Sequence, residues 1–172
     1  KDEMLERIRR DQTISEPVRQ QALSWMEGYR ESPYQLNAAS RAVARRTHEK
    51  PAAYRLALRQ AEAACRLEPN IGPYLTTLGM AQYQLGQYPE ALKKLTQSDK
   101  MNSAKFEASH PADLAFLAMT HHQLGHKAQA AATLARLREV MKNPEWATNA
   151  EAKDFLQEAE TLIEGKAGKA KQ

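Results

Sequence analysis

The sequence predicts an all-α fold built as a stacked array of antiparallel helix pairs. The segment Leu75-Thr-Thr-Leu-Gly-Met-Ala-Gln-Tyr-Gln-Leu-Gly86 recurs in outline 39 residues later as Leu114-Ala-Phe-Leu-Ala-Met-Thr-His-His-Gln-Leu-Gly125. Each copy runs on into an amphipathic stretch. A helix–turn–helix unit cannot bury its apolar face alone, so a repeat of one implies neighbours stacked upon it. The chain is 42% hydrophobic but only 6% aromatic, which suits a core of Ala, Leu and Met better than a β-sandwich. Prolines and glycines fall mostly between the periodic segments, as helix punctuation does.

Taken in order, Asp2 to Arg10 predicts a short helix with Met4, Leu5 and Ile8 on one side; its basic end suits the helix dipole. Ser15 can cap the next, with Pro17 in its first turn and Ile14 as a staple. That helix carries Val18, Leu23, Trp25 and Met26 and stops by Pro33, because the residue before a proline avoids helical geometry. Leu36 to Arg46 predicts a short helix. Pro51 opens a strong one to Leu67, and Glu68-Pro-Asn70 ends it. Pro73 opens the first clear repeat, which turns at Gly86 and continues from Tyr88 to Met101. Pro111 opens the second, which turns at Gly125 and runs to about Met141. A last amphipathic helix, Asn149 to Glu164, starts on a Thr148 or Asn149 cap and ends at Gly165. An array needs such a terminal cap. The lysine-rich 166–172 is expected to be a solvated, disordered tail.

The bulk properties exclude several classes. The 172 residues are enough for one ordinary core, and a net charge of +4 is mildly basic for that length. A single cysteine, Cys65, permits no internal disulfide, so nothing points to an oxidising compartment and a cytoplasmic location is expected. No apolar run approaches the ~20 residues of a membrane span, so no membrane partner is expected. The start at Lys1, already in charged helical sequence, reads as a fragment of a longer protein.

These residues resemble the tetratricopeptide repeat. That pattern has an aromatic, Leu-Gly and Tyr in its first helix, and Ala, an aromatic and Pro in its second. Here Leu75, Leu78-Gly79, Gly86 and Ala91 follow it, with Gln82 at the Tyr place, Leu95 at the second aromatic and Ser103 where Pro is usual. The second unit has Leu114, Leu117-Ala118, His121, Gly125, Ala130 and Leu134. Ala57, Ala61, Ala64 and Pro69 fit the second helix of a degenerate earlier unit. The resemblance implies a tetratricopeptide-like α-solenoid with a C-terminal capping helix. Its parts are N-terminal helices over 1–35 packing on the array, repeats over 36–70, 71–103 and 111–144, and the cap over 145–165. The step from Gly79 to Ala118 exceeds a regular 34-residue repeat by five, so a longer loop is expected over Asn102–His110. Pro111–Lys127, Ala135–Pro144 and Tyr54–Cys65 also resemble the helical C-terminal region of bacterial multidomain proteins bearing WD-repeat or serine/threonine-kinase domains. That likeness implies an accessory module of a signalling or scaffold protein.

Candidate chemistry is sparse. His122 and His126 are one helical turn apart, a spacing that can chelate a metal. Packing is the stronger reading: His121 stands at the repeat's Tyr place as buried filler, and His126 sits in the turn. Cys65 reads as a small core residue, and Glu158 and Glu160 as solvated. Arg41, Arg45, Arg46 and Lys50 read as a solvated helix end rather than a nucleic-acid patch, which would want interleaved aromatics. Trp25 and Trp146 read as packing residues. No phosphate loop or nucleophile elbow appears, so no enzyme activity, cofactor or metal is expected.

The family resemblance places the binding residues on the concave face formed by first helices. Here these are Thr76, Met80, Tyr83 and Gln84, then Ala115, Met119, His122 and Gln123. Such an apolar and amide surface would take a helix or extended peptide. Thr76, Met80, Ala115 and Met119 depart from the Lys and Asn of carboxylate-clamp versions, so no clamp is expected. Two readings stay open: the face meets a protein or peptide partner, or the chain's own N-terminal helices cover it. A structural spacer that packs on its parent domains is the alternative function.

Overall fold

A computed structural model describes residues 2–28, 30–106 and 109–165, so the predicted tail over 166–172 lies outside the described residues. Among the described residues there are ten helices and no strand. The chain divides into two compact units, Lys1–Ser32 and Pro33–Gln172.

The first unit is a helical hairpin of α1 (Asp2–Arg10) and α2 (Glu16–Gly28). Its turn is knitted by side chains. The Asp11 carboxylate accepts from the Thr13 amide at 2.8 Å and hydroxyl at 2.5 Å. Arg19 donates to the carbonyls of Asp11 at 2.6 Å and Ile14 at 3.2 Å. Trp25, expected to be packed, is 71% exposed. It stands at an outward position of a hairpin too small to surround an indole.

The second unit contains α3 (Pro33–Ala44), α4 (Pro51–Leu67), α5 (Gly72–Gln84), α6 (Tyr88–Phe106), α7 (Pro111–Gln123), α8 (Lys127–Val140), α9 (Pro144–Thr148) and α10 (Ala150–Glu164). The unit boundary therefore falls at Pro33 rather than after residue 35, and α3 starts earlier than Leu36, because a proline fits the first turn of a helix. Helices α3, α5, α7 and α10 form one row, each touching the next. Helices α4, α6 and α8 lie behind it: α4 touches α3 and α5, α6 touches α5 and α7, and α8 touches α7 and α10. The short links between sequential helices make neighbours antiparallel.

Both repeat turns end in the same way. Gly86 and Gly125 are left-handed, with φ of 74° and 76°, which glycine adopts without a Cβ penalty. Gln87 N–H reaches Gln82 C=O at 3.0 Å, and His126 N–H reaches His121 C=O at 2.9 Å, closing Schellman motifs that satisfy the last carbonyls. The α5–α6 contact is close enough that a Cβ on Gly79 would lie 2.5 Å from Leu95 Cγ. Phe116 centres the core, edge-on to Tyr83 at 5.4 Å and to Phe155 at 5.5 Å. A polar knot of Thr76, Ser98, Asn102 and Asp113 is buried between α5, α6 and α7.

One expectation needs correction here. The stretch after Asn102 is not simply a loop: α6 continues to Phe106, while residues 107 and 108 lie outside the described residues. Buried Asn102 explains the continuation. Its amide donates to Asp113 of the next helix at 2.7 Å, which holds the end of α6 against α7. Helix α9 was not foreseen. It is a single turn capped by Asn143 and seated through Trp146, whose ring meets His110 at 4.8 Å.

Candidate binding cleft

The predicted concave face is mostly filled. Met80, Ala115 and Met119 are fully buried and Thr76 is buried at 3% exposure, so these four are not open to a partner. The reason is the row itself. Helix α3 packs on α5, where Arg41 Nη1 lies 3.8 Å from Met80 Sδ. Helix α10 packs on α7, bringing Phe155 and Ala159 into the cluster that holds Ala115 and Met119. Thr76 bonds Ser98 at 2.8 Å in the polar knot. Gln84 is half-buried and donates to the carbonyls of Ala44 and Arg46, both at 3.1 Å, so it closes the C-terminus of α3. His122 is half-buried and Gln123 exposed. Tyr83 lines an open cleft.

That cleft has a volume of about 950 Å³. One side is the end of α3 and its following loop, with Arg45, Arg46 and His48. The other is α10, with Glu151, Asp154, Phe155, Glu158 and Leu162, and Tyr83 joins them from α5. The α10 residues share a face because their spacing follows the helical turn. The loop is pinned by the Tyr54 hydroxyl, which donates to Arg46 C=O at 2.7 Å and accepts from Glu49 N–H at 3.0 Å. His48 has φ of 67°, a left-handed conformation that only a few per cent of non-glycine residues adopt.

The charges at the cleft are unevenly matched. Arg41 and Arg45 both reach Glu151, at 2.6 and 3.3 Å, and join α3 to α10. Arg46 pairs with Glu49 at 3.4 Å. The expected solvated basic end is therefore largely engaged by carboxylates. Asp154 and Glu158 form no ion pair among the described residues. Burial raises the Glu158 carboxyl above its usual range, so Glu158 is not the solvated residue expected. Glu160 is not solvated either, since it pairs with Arg138 at 2.6 Å. Burial pushes the Tyr83 hydroxyl up to about 12, partly offset by its bond with Gln123. It is therefore a neutral phenol at physiological pH.

Other candidates fall into place. Cys65 is half-buried, and burial raises its thiol, which removes thiolate character. His121 is half-buried rather than the buried filler expected. His110 accepts from Ala112 N–H at 3.2 Å through Nδ1 and caps α7. A second, smaller cavity of about 260 Å³ lies beside Asn37, Arg41, Thr76, Asn102 and His110. Among the described residues no group of three or more His, Cys, Asp or Glu side chains is placed to hold a metal. No helix among them is long and apolar enough to cross a membrane. Comparison of the chain with protein-family models and with curated proteins finds no match.

Proposed function

We propose that this chain is a non-catalytic protein-interaction module of the tetratricopeptide-like kind, part of a larger cytoplasmic scaffold or signalling protein. Its cleft takes a peptide or helix that carries a lysine or arginine beside an apolar side chain. The observation that supports this most is the unpaired acidic wall, Asp154 and Glu158, flanking an aromatic and aliphatic floor of Tyr83, Phe155 and Leu162. A cationic side chain on the partner would supply the charge that the chain itself does not. Its neighbouring apolar group would cover the floor. The row of α3, α5, α7 and α10 backed by α4, α6 and α8 supports the repeat assignment, and the sealed face around Met80 and Met119 directs binding to the cleft.

The test is an array of eight-residue peptides of varied charge, probed with the wild type and with a D154K/E158K variant. Capture of basic peptides by the wild type and its loss in the variant is the expected result. Equal capture by a variant of unchanged helicity would refute the cleft.

A structural spacer is supported by one feature. Leu56 and Leu67 of α4 are 50% and 45% exposed and eleven positions apart, close to three turns, so they share an outward face. A L56D/L67D variant separates the two readings. Peptide capture should survive it, whereas docking onto parent domains would not.

A further inference from the structure

The two repeat turns share their backbone but differ in one pair of side chains. A Schellman motif sets the residue three places before the cap and the second residue beyond it side by side. In the first turn these are Gln82 and Gln87. In the second they are His121 and His126. The backbone bond of 2.9 Å between them and the left-handed Gly125 fix the approach. The ring centres are 5.6 Å apart and the two Nδ1 atoms 3.3 Å apart. Without a metal, this contact is a hydrogen bond between two neutral tautomers.

The same separation matches the bite of a tetrahedral metal ion. Two imidazole nitrogens, each about 2.0–2.1 Å from zinc at the tetrahedral angle, lie about 3.3 Å apart. Chelation would need a change of tautomer and a rotation of the two rings that turns both Nδ1 lone pairs toward one point. His126 is exposed and His121 half-exposed, so an ion can reach both. The helical spacing of His122 and His126 does not produce this pair. Helix α7 ends at Gln123, and Gly125 turns the chain before His126.

We propose that His121 and His126 chelate a divalent transition-metal ion, of the zinc, nickel or copper class, through their Nδ1 atoms. Imidazole suits these ions, whereas Mg2+ prefers oxygen. Two protein ligands leave the remaining positions to water or to a donor from a partner.

The test is titration of the full chain with Zn2+, and with Mg2+ as control, followed by the histidine ring signals in NMR. The variants His121→Gln and His126→Gln restore the residue type found in the first turn, and circular dichroism checks that both stay folded. Saturable Zn2+ binding that is lost in each of them, kept in His122→Gln and absent with Mg2+ is the expected result. Binding that persists in the two turn variants, binding lost in His122→Gln, or no saturable binding to the wild type at millimolar Zn2+ would overturn the proposal.

Discussion

At Gly79 the contact between α5 and α6 leaves no room for a methyl group, because Leu95 Cγ and Cδ2 would lie 2.5 and 2.8 Å from it. A Gly79→Val variant should lose about 2–3 kcal/mol in denaturant unfolding, the cost of overpacking a close helix contact. Buried Asp113 gives a second prediction. Burial raises its carboxyl from 3.8 to about 6, against opposing hydrogen bonds from Asn102, Thr76 and Ser98. A raised native pKa favours folding below the unfolded value. That contribution declines between pH 3.8 and about 6 and is gone above. The shift corresponds to about 3 kcal/mol. Stability of Asp113→Asn relative to wild type should therefore rise as pH goes from 4 to 7; a pH-independent difference would contradict the assignment. Local chemistry of this kind was partly legible. The positive-φ glycines, the prolines opening α4, α5 and α7, and the Asn149 cap of α10 all follow from residue type.

Among the elements, α3 and α10 decide what the cleft is. They meet through Glu151, which holds Arg41 and Arg45. These groups are partly exposed, so Glu151→Gln should cost only about 1 kcal/mol, and less in high salt. It should also loosen the cleft wall and raise hydrogen exchange at the end of α3. Sequence periodicity reports which face of a helix is apolar, one helix at a time. It placed Met80 and Met119 on equivalent faces but could not show that α3 and α10 lie over them. Glu158 was misread as solvated for the same reason, and its neighbour Asp154 was passed over. Their spacing looks like a solvated face until Tyr83 of α5 and the loop after α3 are brought opposite. One signal was available: no lysine or arginine four residues away on α10 pairs with them.

For the molecule as a whole, the division at Pro33 predicts that residues 33–165 fold alone. That fragment should unfold in one cooperative transition near the temperature of the intact chain, as seen by calorimetry. Loss of cooperativity would mean that the first hairpin is needed for the array. The helical class and most helix boundaries were legible because helix caps, prolines and a repeated apolar pattern agree with one another. The open surface was not, because it is what remains after every helix has been packed. The central claim is that a basic peptide is held between the loop after α3 and the acidic wall of α10. The most direct measurement is an NMR titration of the chain with a lysine-containing peptide selected from the array. Shifts should concentrate on Arg46, His48, Tyr83 and α10 from Glu151 to Leu162, and should strengthen as pH rises through the Glu158 titration. Shifts confined to the outer face of α4, or to neither surface, would contradict it.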